Sequence, residues 1–390
     1  MTTGFRINGT DTDDLFVRKD IFTEGGLWGW GLNNLGQLGD NTIISKSSPV
    51  QTVSGGTNWK FLAYAGDYGP RVIKSDGTLW LWGWNNTGQL GDNTTTSKSS
   101  PIQTVSGGTN WKQVGICMGT FSAAIKTDGT LWLWGLNSTG QLGDNTTTDK
   151  SSPVQTISGG TNWKQVAGGS GHTAAIKTDG TLWTWGSNVF GELGDNTTTS
   201  KSSPVQTISG GTNWKQVSCG SEHSAAIKTD GTLWLWGRNQ FGQLGNNART
   251  SISSPVQTVS GGTNWKQLSC GVYYTAAIKT DGTLWLWGQG TSGQLGDNTI
   301  THRSSPVQTV SGGTNWKQVS CGVNNTAAIK TDGTLWLWGS NVFGELGDNT
   351  TTSKSSPVQT ISGGTNWKQV CTAGGSSGYN TIAIRGDYWA

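Results

Sequence analysis

Charge is scarce in this chain. Only 13% of its 390 residues are Asp, Glu, Lys or Arg, and the formal net charge is +3; soluble domains usually carry about twice that share. No run of basic residues concentrates the cations, which argues against the broad cationic face a nucleic-acid binder uses. Glutamate occurs only at positions 24, 192, 222 and 345, and histidine only at 172, 223 and 302, so acid–base and metal chemistry have few groups to draw on. No stretch of about 18 apolar residues exists to form a membrane helix. The five cysteines are odd in number and lack paired spacing, which excludes a disulfide framework. Residues 1–14 are polar and include Asp11, Asp13 and Asp14, unlike a secretory signal. Helical periodicity is missing throughout.

Glycine and tryptophan are abundant instead: 61 Gly and 23 Trp. The string Ser-Gly-Gly-Thr-Asn-Trp-Lys recurs seven times, with its tryptophan at 59, 111, 163, 214, 265, 316 and 367. A Leu-Trp-x-Trp-Gly string also recurs seven times, beginning at Leu27, Leu79, Leu131, Leu182, Leu233, Leu284 and Leu335. Every tryptophan except Trp84 and Trp389 belongs to one of these strings. A repeat of about 51 residues dictates the fold.

Within one unit, Ala225 to Lys228 precedes Asp230-Gly231, which is followed by Leu233 to Gly237. Asp-Gly between apolar runs marks a tight hairpin turn. In the second strand Leu233 and Leu235 face one way and Trp234 and Trp236 the other. A strand apolar on both faces needs cover on both, and with no helix available the cover is another sheet. Further strands fit Pro204–Ile208 and Trp214–Cys219, giving four per unit and an all-β, seven-bladed β-propeller. A buried tryptophan contributes at most about 4–6 kcal/mol at ~25 cal/mol/Å², so one unit alone leaves too much apolar surface wet. At the C-terminus, Ile382 to Asp387 lacks a tryptophan-rich partner strand, whereas Leu27 to Gly31 lacks a well-matched strand before it. The two termini are therefore predicted to complete one blade, with residues 1–26 as an arm and 27–390 as the propeller. Val17 to Asp20 competes for the same strand position.

Trp236-Gly237-Arg238-Asn239-Gln240-Phe241-Gly242-Gln243-Leu244-Gly245, preceded by Gly220 to Ala226 and by Asp230-Gly231, resembles the repeat of the regulator of chromosome condensation family. The run recurs in all seven units, with Glu192 and Glu345 replacing Gln and Gly290 replacing Asn. Kelch repeats have a similar period but lack it. The resemblance implies a seven-bladed propeller. The family's founding member is an exchange factor for a small GTPase that binds chromatin; this chain shows neither a basic N-terminal tail nor a long insertion. Residues 186–217 and 339–370 are identical, and such near-perfect units are similar to propellers of bacteria and phages. Asn8 to Val17 is similar to leader segments of phage virion proteins. These resemblances imply a virion component, docked to other virion or scaffold proteins through residues 1–26 and offering a face of variable loops to a host-surface ligand. The alternative they leave is a cytoplasmic exchange factor or scaffold.

The seven units differ chiefly in two loops, one before the Ala-Ala-Ile-Lys strand and one after the tryptophan strand, which share one end of the hairpin. Loops on a rigid frame carry recognition, and aromatics and Arg dominate hot spots. The candidate anchors are Phe121, His172, Glu222, His223, Arg238, Phe241, Tyr273, Tyr274, Asn324 and Asn325; drift between copies is the competing explanation. His172 and His223 with Glu222 could be read as a metal pair, but the family repeat places histidine there structurally, so no metal or other cofactor is expected. His302 reads as solvated. Carboxylates are spread by the repeat rather than paired, and no Gly-x-Ser-x-Gly elbow opens a helix, so no enzyme is expected. Cys219, Cys270 and Cys321 recur at one position, with Cys371 close to it, and read as small buried thiols. The Lys-Thr-Asp and Trp-Lys-Gln strings place lysines around the molecule as solvated charge.

Overall fold

The computed structural model describes residues 25–65, 69–374 and 379–386. Among these, all regular structure is strand, arranged as seven antiparallel four-stranded sheets. We number the blades by their innermost strands: blades 1 to 6 span 59–103, 111–155, 163–206, 214–257, 265–308 and 316–359, and blade 7 combines 367–385 with 26–51. Blade 4 is representative. From the axis outward its strands are Trp214–Cys219, His223–Lys228, Leu233–Gly237 and Ile252–Gln257. The hairpin at Asp230-Gly231 pairs Ile227 with Leu233, as the turn chemistry requires.

The outermost strand lies earlier than its sequence pattern implies. In blade 3 it runs Lys201–Gln206 rather than 204–208, pairing Gly186 with Lys201 and Thr184 with Val205 across a register break. Pro204, which has no N–H to donate, sits on this edge strand where none is needed. Ile208 has already turned toward the next blade, its amide bonded to the Gly194 carbonyl at 2.9 Å.

Packing follows the alternation of Leu and Trp. Seven buried clusters lie between the blades, and each joins the leucine face of one sheet to the tryptophan face of the next. Between blades 4 and 5, Ile227, Leu233, Leu235 and Leu244 meet Trp265, Leu268 and Trp287. Only the second tryptophan of each strand pair is fully enclosed. Trp236 is buried, whereas Trp234 is half-buried beside the turn, its Nε1 donating to Thr232 Oγ1 at 2.9 Å.

The family-like run is an interlocking device. Asn239 Nδ2 donates to Asn246 Oδ1, Ala248 O and Thr250 O, while its Oδ1 accepts the Leu244 amide at 2.9 Å. The loop so shaped offers the Gln243 carbonyl to Trp287 Nε1 of blade 5 at 2.9 Å. The same indole-to-carbonyl bond recurs at all seven junctions, including Trp30 to Glu345 and Trp82 to Gln37 across blade 7. Gly245 lies at φ +63°, and a Cβ there would stand 2.7 Å from that indole nitrogen, so glycine is required by both backbone and contact.

Blade 7 closes the ring. Leu27 pairs with Ile384 and Trp28 with Ala383, so the C-terminal strand Asn380–Arg385 lies between Trp367–Thr372 and the N-terminal Gly26–Gly31. The rival strand at Val17 to Asp20 lies outside the described residues. Near the axis a glutamine clasp adds to the closure: Gln369 Nε2 donates to Leu62 O at 2.9 Å, and Leu62 N returns a bond to Gln369 Oε1 at 3.0 Å.

Candidate functional site

Antiparallel pairing places both variable loop sets at one end of each blade, opposite the Asp-Gly turns. His223 pairs with Gly237, and the Arg238 amide reaches back to the Glu222 carbonyl at 2.8 Å. Around the axis on this face, Thr120, Ser170, Ser221, Tyr273, Gln289 and Asn324 help line a funnel of about 360 Å³.

The side chains divide by strand alternation. Phe121, His172, His223, Tyr274 and Asn325 are all buried, which corrects their reading as surface anchors. Each is the first residue of its second strand and points between blades. His172 Nε2 lies 2.9 Å from Ser224 Oγ of blade 4, and His223 Nε2 lies 3.0 Å from Thr275 Oγ1 of blade 5. Those hydroxyls already donate to the carbonyls of Glu192 and Gln243, so each histidine carries its proton on Nε2 and leaves Nδ1 bare. Burial holds both imidazoles neutral, with pKa values down to about 3, and for His223 the neighbouring His172 adds to the effect. Tyr274 OH likewise donates to Asn325 O at 2.6 Å.

The residue before each of these points outward. Glu222, Tyr273 and Asn324 are partly exposed, as are Arg238 and Phe241. Four of them form one cluster across blades 4 and 5. Arg238 pairs with Glu222 and Gln240, and its guanidinium lies 4.6 Å from the Phe190 ring and 5.4 Å from the Tyr273 ring. Phe241 packs 5.3 Å from Tyr273 and 4.9 Å from His302. Burial, reinforced by the Glu222 charge, pushes the Tyr273 hydroxyl pKa up. Asn324 stands apart on the funnel wall.

Phe190 and His302 complete the cluster without having been singled out as anchors. Phe190 aligns with Phe241 in the repeat, the signal that could have found it. His302 is half-buried rather than solvated: it packs on Phe241, accepts the Gly290 amide on Nδ1 at 3.2 Å, and has its pKa lowered by burial and by Arg249. Beside the cluster a polar recess of about 220 Å³ is lined by residues including Ser138, Ser187, Glu192 and Glu222. Burial, opposed by the Phe190 amide and assisted by the Glu222 charge, pushes the Glu192 pKa up.

Among the described residues, no three His, Cys, Asp or Glu side chains assemble to hold a metal ion. The five cysteines are free and buried, and burial raises their thiol pKa values, Cys270 to about 12. No helix is long and apolar enough to cross a membrane among those residues.

Fold and site together define a closed seven-bladed propeller with one contoured, chemically varied face. Residues 153–388 match the RCC1-like domain, and residues 24–66, 76–125 and 128–176 match the regulator of chromosome condensation (RCC1) repeat. The chain belongs to the regulator of chromosome condensation family. It is 30% identical over 335 residues to the ultraviolet-B receptor UVR8 of Arabidopsis thaliana, covering 84% of this chain and 76% of that one. It is 27% identical over 350 residues to the E3 ubiquitin-protein ligase HERC2 of Homo sapiens, covering 85% of this chain but 7% of the ligase. Yeast RCC1 (Prp20), solved bound to Kap60, superposes with a TM-score of 0.83 at 16% identity over 99% of this chain and 96% of that one. Human WBSCR16 gives 0.79 at 20% identity over 93% and 99%. At these identities the structures share the fold.

Proposed function

We propose that this chain is a non-catalytic protein-binding propeller that grips its partner with the variable face, centred on Arg238, Phe241 and Tyr273. The observation that carries the reading is the cluster itself. Three aromatic rings and a guanidinium from successive blades meet at a partly exposed surface; Phe343 and Tyr379 repeat the aromatic contact at 5.2 Å between blades 6 and 7, without the arginine. Aromatics and arginine anchored in such a setting are the usual hot spots of protein interfaces. Glu222 holds Arg238 in place, which lowers the entropy lost on docking.

The relatives support a cellular scaffold or exchange-factor role over a virion role. Yeast Prp20p has been solved and its binding to Gsp1p and histones described, a property of that protein; together with the exchange-factor role of the family's founding member it makes a small GTPase the first partner to try here. The arm expected over residues 1–26 is proposed to link the propeller to its assembly; residues 1–24 lie outside the described residues, and Gly26 already pairs with Arg385 in blade 7.

The test immobilises the full chain and titrates nucleotide-free small GTPases against it, alongside the Arg238→Ala/Phe241→Ala/Tyr273→Ala variant. The proposal expects binding that weakens at least tenfold in the variant while its melting temperature stays within about 3 °C of the parent. Binding that survives the triple substitution means the loops have merely drifted.

A further inference from the structure

Two of the seven interlocking loops carry glutamate where the other five carry glutamine, although the loop itself needs no charge there. Gln141 and Gln243 use Oε1 to accept the amide two residues earlier, from Thr139 and Phe241, each at 3.0 Å. Glu192 and Glu345 do the same for the amides of Phe190 and Phe343, at 2.8 and 2.7 Å. A neutral amide therefore performs the structural task. Both carboxylates are buried, and burial pushes their pKa values up. An enclosed anion costs stability unless a partner answers it.

The two glutamates sit in identical segments, 186–217 and 339–370, yet their surroundings differ. Glu345 also receives the Ser340 hydroxyl at 3.2 Å, and the Phe343 ring packs against Tyr379 of blade 7. Blade 4 has Glu222 at the position of Tyr379. Glu192 receives only the Phe190 amide and its own, with no side-chain donor among the described residues. It lines the recess of about 220 Å³ together with Leu136, Ser138, Ser187 and Glu222. Among the described residues no cation forms an ion pair with Glu192. Arg238 is committed to Glu222 and Gln240, and His172, also in the wall, is held neutral. Two carboxylates thus share one guanidinium, and the recess keeps a negative charge.

We propose that this recess, where blades 2, 3 and 4 meet, binds a primary alkylammonium group, with the nitrogen at Glu192 and the stem against Leu136. Glu192 Oε1 and the hydroxyls of Ser138 and Ser187 are separate acceptors on two loops, which suits the three swivelling donors of an ammonium. A guanidinium seeks both oxygens of one carboxylate, and the Phe190 amide already occupies Oε2 of Glu192. The site adjoins the Arg238 cluster but does not depend on that cluster gripping a protein.

Ligand-observed NMR titration of the full chain with n-butylammonium, at constant ionic strength, tests the site. The expected result is saturable binding of one ammonium per chain, with n-butanol and tetramethylammonium at least tenfold weaker. Glu192→Gln should weaken binding at least tenfold and melt no lower than the parent, since five blades already carry glutamine there. Glu345→Gln, the same change in the identical segment, should bind within twofold of the parent. Arg238→Ala should bind the ammonium at least as tightly as the parent because it releases Glu222, the opposite of its expected effect on a protein partner, so failure of one reading leaves the other standing. Tighter binding of Nα-acetyl-lysine methylamide than of n-butylammonium assigns the group to a lysine side chain of a bound protein, and weaker binding assigns it to a free amine. No saturation, equal binding of n-butanol, or equal losses in the two glutamine variants would overturn the proposal.

Discussion

His172 and His223 show how a residue that looks functional can be held by packing alone. Each is buried and donates from Nε2 to a hydroxyl of the next blade, while Nδ1 has no partner. Protonation would place a second N–H in a dry seam with nothing to receive it. The folded pKa values of about 3 lie below the ordinary 6.5, so between those limits the unfolded chain binds more protons. Stability is then complete above about pH 7 and lost as pH falls, by about 1.4 kcal/mol per pH unit for each histidine. The turn aspartates are shifted the other way relative to their charge: their depressed values lend stability that is present above pH 3.8 and lost only in stronger acid. Melting temperature measured from pH 7 to pH 5 carries this loss together with that of His302, opposed by the buried Glu192 and Glu345 whose raised pKa values favour the folded state as pH falls, so the histidine share is read by comparison with a variant. Replacing both by asparagine, the residue that blades 6 and 7 use at the equivalent positions 325 and 380, should flatten the curve; an unchanged slope would mean the imidazoles are not the titrating groups.

Among the elements, the loop after the third strand does most to join the blades. Gly242 and Gly245 let it approach the next blade, and Gln243 offers the carbonyl that an indole seeks. Gly245→Ala combines a strained positive φ with a contact that no small shift relieves, and should cost about 2–4 kcal/mol, more than the ~1 kcal/mol that glycine-to-alanine changes move at compatible positions. Chemical denaturation would read it, and a cost below 1 kcal/mol would contradict the wedge. The repeat period and the two-sided apolar strands made this architecture legible before any coordinates. The site was only half legible. Adjacent residues such as Glu222 and His223 both looked available, and only the strand register decides which points to solvent. Phe190 and His302 enter the cluster from neighbouring blades, a juxtaposition that depends on how far each loop reaches.

At the scale of the molecule, two faces with different chemistry are mounted on one ring. The variable face carries aromatic groups and a paired arginine, and the turn face carries lysines held between indoles beside the turn aspartates. The variable face depends on blades held in fixed register, because the aromatic cluster draws from blades 3, 4 and 5. Ring closure is therefore the central claim. Its direct test is the thermal unfolding of a chain lacking residues 379–390, which removes the strand between Trp367–Thr372 and Gly26–Gly31. The account predicts loss of the single cooperative transition, or a fall in its midpoint of more than 15 °C. A truncated chain that melts as one unit within about 2 °C of the parent would show that the termini do not seal the propeller.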